Sequence, residues 1–64
     1  MKVNGKTLTV PESVTLMKFL VKAGYEISKI AVEMNGEIIS KREYETVRLQ
    51  DDDELEIVTF VGGG

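Results

Sequence analysis

Three consecutive glycines, Gly62, Gly63 and Gly64, follow the strand-like run from Glu54 to Val61. Glycine has no Cβ and loses the most conformational freedom on ordering, so such a run does not belong in a core. It is expected to project as a slender, mobile tail with a free α-carboxylate at Gly64, shaped to thread a channel too narrow for side chains. That carboxylate is the group most open to chemistry. Side-chain catalysis has little to draw on, since the chain contains no histidine and no cysteine, which removes the commonest acid–base residue and the usual zinc ligands. The run Asp51-Asp52-Asp53-Glu54 offers carboxylates to a hard cation. It lacks the spaced ligands and turn glycine of a calcium loop, and it reads as a solvated turn. Lys41 and Arg42 are two adjacent basic residues and read as ordinary surface. The expectation is a chain that is not an enzyme and that binds no metal or cofactor of its own.

Composition agrees with a small folded module. The chain has 64 residues, 42% hydrophobic and 30% charged, with a net charge of -3, which describes one globular domain rather than a disordered segment. A domain this small buries only about 60% of the surface its unfolded chain exposes, so its core must be tight. Without cysteine there is no disulfide to help. The acidic balance argues against nucleic acid and anionic membranes, which call for clustered Lys and Arg, and favours a basic partner surface. Met1 is not followed by the charged and apolar regions of a signal peptide, and no apolar run approaches the ~20 residues that cross a bilayer. A cytoplasmic location is expected.

The elements that must carry the tail can be read in order. Lys2 to Val10 forms two short strands about Asn4-Gly5, the dipeptide that best accepts the positive φ angles of a type I′ hairpin turn. Leu8 and Val10 share a face, and Pro11 ends the second strand because it cannot donate to a ladder. From Thr15 to Gly24, Leu16, Phe19, Leu20 and Ala23 fall at i, i+3, i+4 and i+7, one face of a helix. Thr15 or Ser13 caps its start, Lys22 suits its negative end, and Gly24 sits where a left-handed residue is needed. Ile30 to Met34 alternates as a third strand, Asn35-Gly36 turns the chain again, and Glu37 to Ile39 is a fourth strand. Lys41 to Tyr44 reads as a helical turn anchored by the Tyr44 ring, Val47 to Leu49 as a brief strand, and Asp51 to Asp53 as a turn. Glu54 to Val61 is the last strand.

This order, with one helix and four or five strands, demands two layers, the helix lying across one face of a mixed sheet. The expected fold is α+β, a β-grasp (ubiquitin-like) domain over residues 1–61 with the glycine tail at 62–64, and with the first and last strands adjacent at the centre. The cluster between helix and sheet should hold Val3, Leu8, Leu16, Phe19, Leu20, Leu55 and Ile57. If Leu55 and Ile57 face the helix, period two puts Glu56, Val58 and Phe60 on the open side. Val58 and Phe60 then form an exposed apolar pair beside the tail, a docking patch for a partner. The plainer reading, scattered surface apolars, does not account for patch and tail coinciding.

Val-Gly-Gly-Gly closing a chain of this kind resembles the ThiS family, the sulfur carriers of thiamine biosynthesis. The likeness spans the chain: Val3-Asn4-Gly5, the segment from Ala31 to Ile39, Arg42-Glu43-Tyr44, and Glu56 to Gly64. Lys41 stands where the family often has proline, and Asp52-Asp53 where it often has Gly-Asp. The resemblance implies that an E1-like adenylyltransferase of the ThiF type, using ATP and Mg²⁺, adenylates the Gly64 carboxylate. Sulfur from a persulfide donor protein then yields a thiocarboxylate, and a thiazole synthase of the ThiG type takes that sulfur. It further implies that Gly62 and Gly63 lie in the partners' channels while Val58 and Phe60 dock the folded body. Two rivals are a ubiquitin-like carrier for molybdopterin synthesis or tRNA thiolation, and a β-grasp interaction module that carries nothing.

Overall fold

The computed structural model describes residues 1–11 and 13–60, so the domain boundary expected after residue 61 and the tail Gly62, Gly63 and Gly64 lie outside the described residues. The chain begins with a hairpin of β1 (Lys2–Val3) and β2 (Lys6–Thr7), followed by the helix α1 (Leu16–Lys22). A second hairpin joins β3 (Ile30–Met34) to β4 (Glu37–Ile39), and β5 (Glu54–Thr59) comes last. Short 3₁₀ turns occupy Ile27–Lys29 and Lys41–Glu43. The strands form one mixed sheet in the order β2-β1-β5-β3-β4. β5 lies at its centre, parallel to β1 and antiparallel to β3. With α1 across one face, this is the β-grasp that the element order implies.

Local chemistry sets the corners. At both hairpins Asn and Gly take positive φ, 51° and 85° for Asn4-Gly5 and 52° and 87° for Asn35-Gly36, the signature of the tight turn whose twist matches the strands it joins. The Thr15 hydroxyl accepts from the Lys18 N–H at 3.1 Å, so Thr15 is the N-cap of α1. At the other end Gly24 takes φ +91°, and its N–H donates to the Val21 carbonyl. The Lys41–Glu43 turn closes with a capping box, the Glu43 carboxylate accepting from the Ser40 N–H. That box delivers Tyr44 into the interior, where it is 1% exposed.

The core joins the inner face of the sheet, Val3, Val32, Leu55 and Ile57, to Leu16 and Leu20 of the helix, with Met1, Ile30, Tyr44 and Leu49 completing it. Phe19 packs against its edge, and Ala23 is exposed. Three expectations need correction. Leu8 is 41% exposed rather than core, and β2 ends at Thr7 rather than Val10. Leu8 pairs with Met1, the Leu8 N–H donating to the Met1 carbonyl at 2.8 Å. It lies on the edge of the sheet, while Met1, one strand nearer the centre, takes the buried place. Val47 to Leu49 is not a strand: a single bridge links Thr15 to Arg48. The Leu16 N–H donates to the Val47 carbonyl and the Leu49 N–H to the Val14 carbonyl, so this stretch ties down the helix entrance instead of widening the sheet. The Asp51-Asp52-Asp53 turn is solvated at its first two residues only. Asp53 is buried, its carboxylate accepting from the Gln50 N–H at 2.7 Å and from Asn35 Nδ2 at 3.0 Å.

Candidate functional site

β5 presents two different faces. Leu55 and Ile57 point at the helix and are buried, whereas Glu54, Glu56 and Val58 point away and are exposed. Beyond the strand the Phe60 N–H donates to the Lys29 carbonyl at 2.9 Å, which carries the ladder one residue further and keeps Phe60 in the alternation. Val58 is 59% and Phe60 48% exposed. Both sequence-expected docking residues therefore stand on the open face of the sheet, at the end of β5 from which the chain continues toward Gly62, Gly63 and Gly64. Those three glycines lie outside the described residues.

The register adds neighbours that period two could not name. Ala31 lies directly opposite Val58, and Glu33 opposite Glu56. On the next strand Ile38 lies opposite Glu33 and is 71% exposed. Cross-strand partners share a face of the sheet, so Ala31, Ile38, Val58 and Phe60 are the apolar residues of one open surface, with Glu33 and Glu56 set among them. Lys41 extends its ammonium over the Phe60 ring, 5.9 Å from the centroid, within reach of a cation–π contact. Directly opposed carboxylates repel and cost the sheet stability. Glu33 and Glu56 are such a pair, and with Glu54, which lies opposite Lys2 on the same face, they set three carboxylates against the ammonium groups of Lys2 and Lys41, a balance that suits a cationic patch on a partner. The signal that could have found Glu33 and Ile38 was their alternation in their own strands, but only pairing places them beside Val58.

The acidic run and the basic pair behave differently from this face. Asp53 is spent on hydrogen bonds that close its own turn and hold Asn35. Among the described residues, no group of three or more acidic side chains is placed to hold a metal ion. No helix among them is long and apolar enough to cross a membrane. Among the described residues, the titratable group clearly moved from its ordinary value is Tyr44, whose phenol is pushed up by burial, with a hydrogen bond to the Val32 backbone acting in the other direction. It belongs to the core and lies away from the open face.

Known proteins place this geometry. A sequence model described as the ThiS family matches residues 1–64. The chain is 40% identical over 65 residues to the sulfur carrier protein ThiS of Bacillus subtilis, covering 100% of this chain and 98% of that one. It is 42% identical over 62 residues to a thiazole synthase of Paramagnetospirillum magneticum, covering 97% of this chain but 19% of the length of that protein. Among solved structures, a crystal structure of the thiamine biosynthesis protein ThiS from Geobacter metallireducens superimposes with a TM-score of 0.81 at 32% identity, over 98% of this chain and 96% of that one. Sequence over the full length and fold agree: the chain belongs to the ThiS family.

Proposed function

We propose that this chain is a sulfur carrier of thiamine biosynthesis, a substrate of enzymes rather than an enzyme. The observation that carries the reading is the likeness, over the whole of both chains, to the Bacillus subtilis sulfur carrier protein. The open face of the sheet, with Val58 and Phe60 at the end of its central strand and the glycines following in the sequence, supports it. A carboxylate is a poor electrophile, so activation comes first. An E1-like enzyme of the ThiF type, with ATP and Mg²⁺, forms an acyl-adenylate at Gly64 and releases pyrophosphate. The terminal sulfur of a persulfide donor then attacks the acyl carbon and AMP leaves, a nucleophilic acyl substitution. A thiol cleaves the remaining S–S bond, which leaves a thiocarboxylate on Gly64. A thiazole synthase of the ThiG type accepts that sulfur. Gly62 and Gly63 lie extended in each partner's channel, where any Cβ would meet a wall, while Val58 and Phe60 dock the body. These steps belong to the cytoplasm.

Intact-mass spectrometry tests the reading. Incubation with ATP, Mg²⁺, a ThiF-type enzyme, a persulfide donor and a thiol is expected to add the mass of one oxygen-to-sulfur exchange, located at Gly64. With sulfur withheld, the reaction should stop at the adenylate and show as pyrophosphate exchange. A chain that gains no mass in the presence of a competent activating enzyme rejects the proposal.

A further inference from the structure

Both Asn-Gly dipeptides serve hairpin turns, and both asparagine side chains are committed to the same strand. Asn4 Oδ1 accepts from the Ile57 N–H at 2.7 Å, and its Nδ2 donates to the Ile57 carbonyl at 3.2 Å. The amide thereby stands in for a strand residue: β1 ends at Val3, and Asn4 supplies the donor and acceptor that a longer strand would have offered. Asn35 does the equivalent at the start of β5. Its Oδ1 accepts from the Glu54 N–H at 2.9 Å and its Nδ2 donates to Asp53 Oδ1 at 3.0 Å. The central strand is thus clasped toward both ends by amides from the two flanking hairpins.

Asparagine followed by glycine is also a reactive pair, because a glycine nitrogen is unhindered by a side chain. That nitrogen attacks the asparagine Cγ, expels ammonia and closes a five-membered succinimide. Water reopens the ring at one carbonyl or the other, leaving aspartate or isoaspartate. One water enters and one ammonia leaves, with no redox change. We infer that Asn4 and Asn35 are deamidation sites which the fold holds shut, since an amide engaged at both its oxygen and its nitrogen is not free to swing onto the next backbone nitrogen. Opening of either clasp arms the site. The products differ in consequence. At Asn4 the new carboxylate still accepts from the Ile57 N–H but leaves the Ile57 carbonyl without its donor, next to Val58 on the docking face. At Asn35 it confronts the buried Asp53 carboxylate where an N–H had been donating, so two like charges share one site.

Peptide mapping by mass spectrometry, after incubation in mildly alkaline buffer with and without urea, tests this. Both asparagines should convert in urea, and folding should slow each by about tenfold or more, tenfold being ~1.4 kcal/mol of local opening. Asp53→Ala removes the acceptor of Asn35 Nδ2, together with the Gln50 N–H bond that closes the same turn, and leaves the Asn4 clasp on Ile57 untouched, so Asn35 should speed up in the folded variant while Asn4 does not. Asp53→Asn keeps an acceptor oxygen and should restore protection. Asparagines that survive in urea, equal rates in folded and unfolded parent, or a folded Asp53→Ala variant with Asn35 as slow as the parent would each overturn the inference. Should Asp53→Ala fail to fold, the parent's folded-to-urea ratio still decides.

Discussion

Two aromatic residues show how a side chain's setting determines what it does. Phe60 is half exposed on the open face, with its backbone bonded to Lys29 and the Lys41 ammonium over its ring. Phe60→Ala should weaken binding to a ThiF-type partner by about 1 kcal/mol or more, as truncating a buried aromatic anchor does. Its own stability should change by no more than about 0.5 kcal/mol. Calorimetry of binding and denaturant melts separate the two, and unchanged affinity would remove Phe60 from the docking surface. Tyr44 is the opposite case, an interior ring whose phenol resists ionisation because burial disfavours the charge. Its folded pKa is raised above the unfolded value, so its contribution to stability is complete below the ordinary tyrosine pKa of about 10 and is lost as pH rises through the folded value. Alkaline melts should show stability declining in that window, with tyrosinate absorbance appearing as the fold is lost. In Tyr44→Phe the decline should be blunted.

At the scale of elements, α1 has seven residues, too short to be helical alone, and stands because it is capped and packed. Leu20 is its most telling contact, with none of its surface exposed. Leu20→Ala leaves a cavity between helix and sheet and should cost ~2–5 kcal/mol in urea melts, a large share of the stability of so small a domain. A midpoint equal to the parent's would mean that the helix does not close the core. The β3–β5 pairing makes a contrary prediction. Glu33 and Glu56 face each other across it, so Glu33→Gln should stabilise the chain by ~0.2–1 kcal/mol while weakening the complex with a cationic partner and flattening its salt dependence. A variant both less stable and tighter binding would reverse that account of the acidic pair.

The whole molecule is a platform that brings one strand to the centre of a sheet and exposes one side of it. On the proposed chemistry, deleting Gly64 should abolish both adenylation and sulfur loading without changing the melt, since among the described residues the core cluster ends in the chain at Ile57. One residue added after Gly64 should do the same by moving the carboxylate out of register with the nucleotide and putting a Cβ into the channel. Intact mass and pyrophosphate exchange on the two variants check it, and loading that survives the deletion would place the reacting group elsewhere.

Much of this was legible in the chain because it depends on spacing along the chain. The 3.6-residue rhythm of Leu16, Phe19 and Leu20, the caps Thr15 and Gly24, the two Asn-Gly turns and the alternation from Glu54 to Phe60 each state a local preference that the packing then honoured. Sequence alone therefore determined one helix, two hairpins and a last strand with Val58 and Phe60 on one side. What it left open turns on who sits beside whom. Met1 is buried and Leu8 is not because one lies a strand nearer the centre of the sheet, a matter of pairing order that no period encodes. Leu49 enters the core without belonging to a strand, and Asp53 is withdrawn from water because Asn35, eighteen positions away, meets it. Glu33, Ile38 and Ala31 join Val58 on the open face only through register across β3, β4 and β5. Such contacts are set by long-range pairing, in which a one-residue slip would turn every side chain to the other face, and only the tertiary structure decides them.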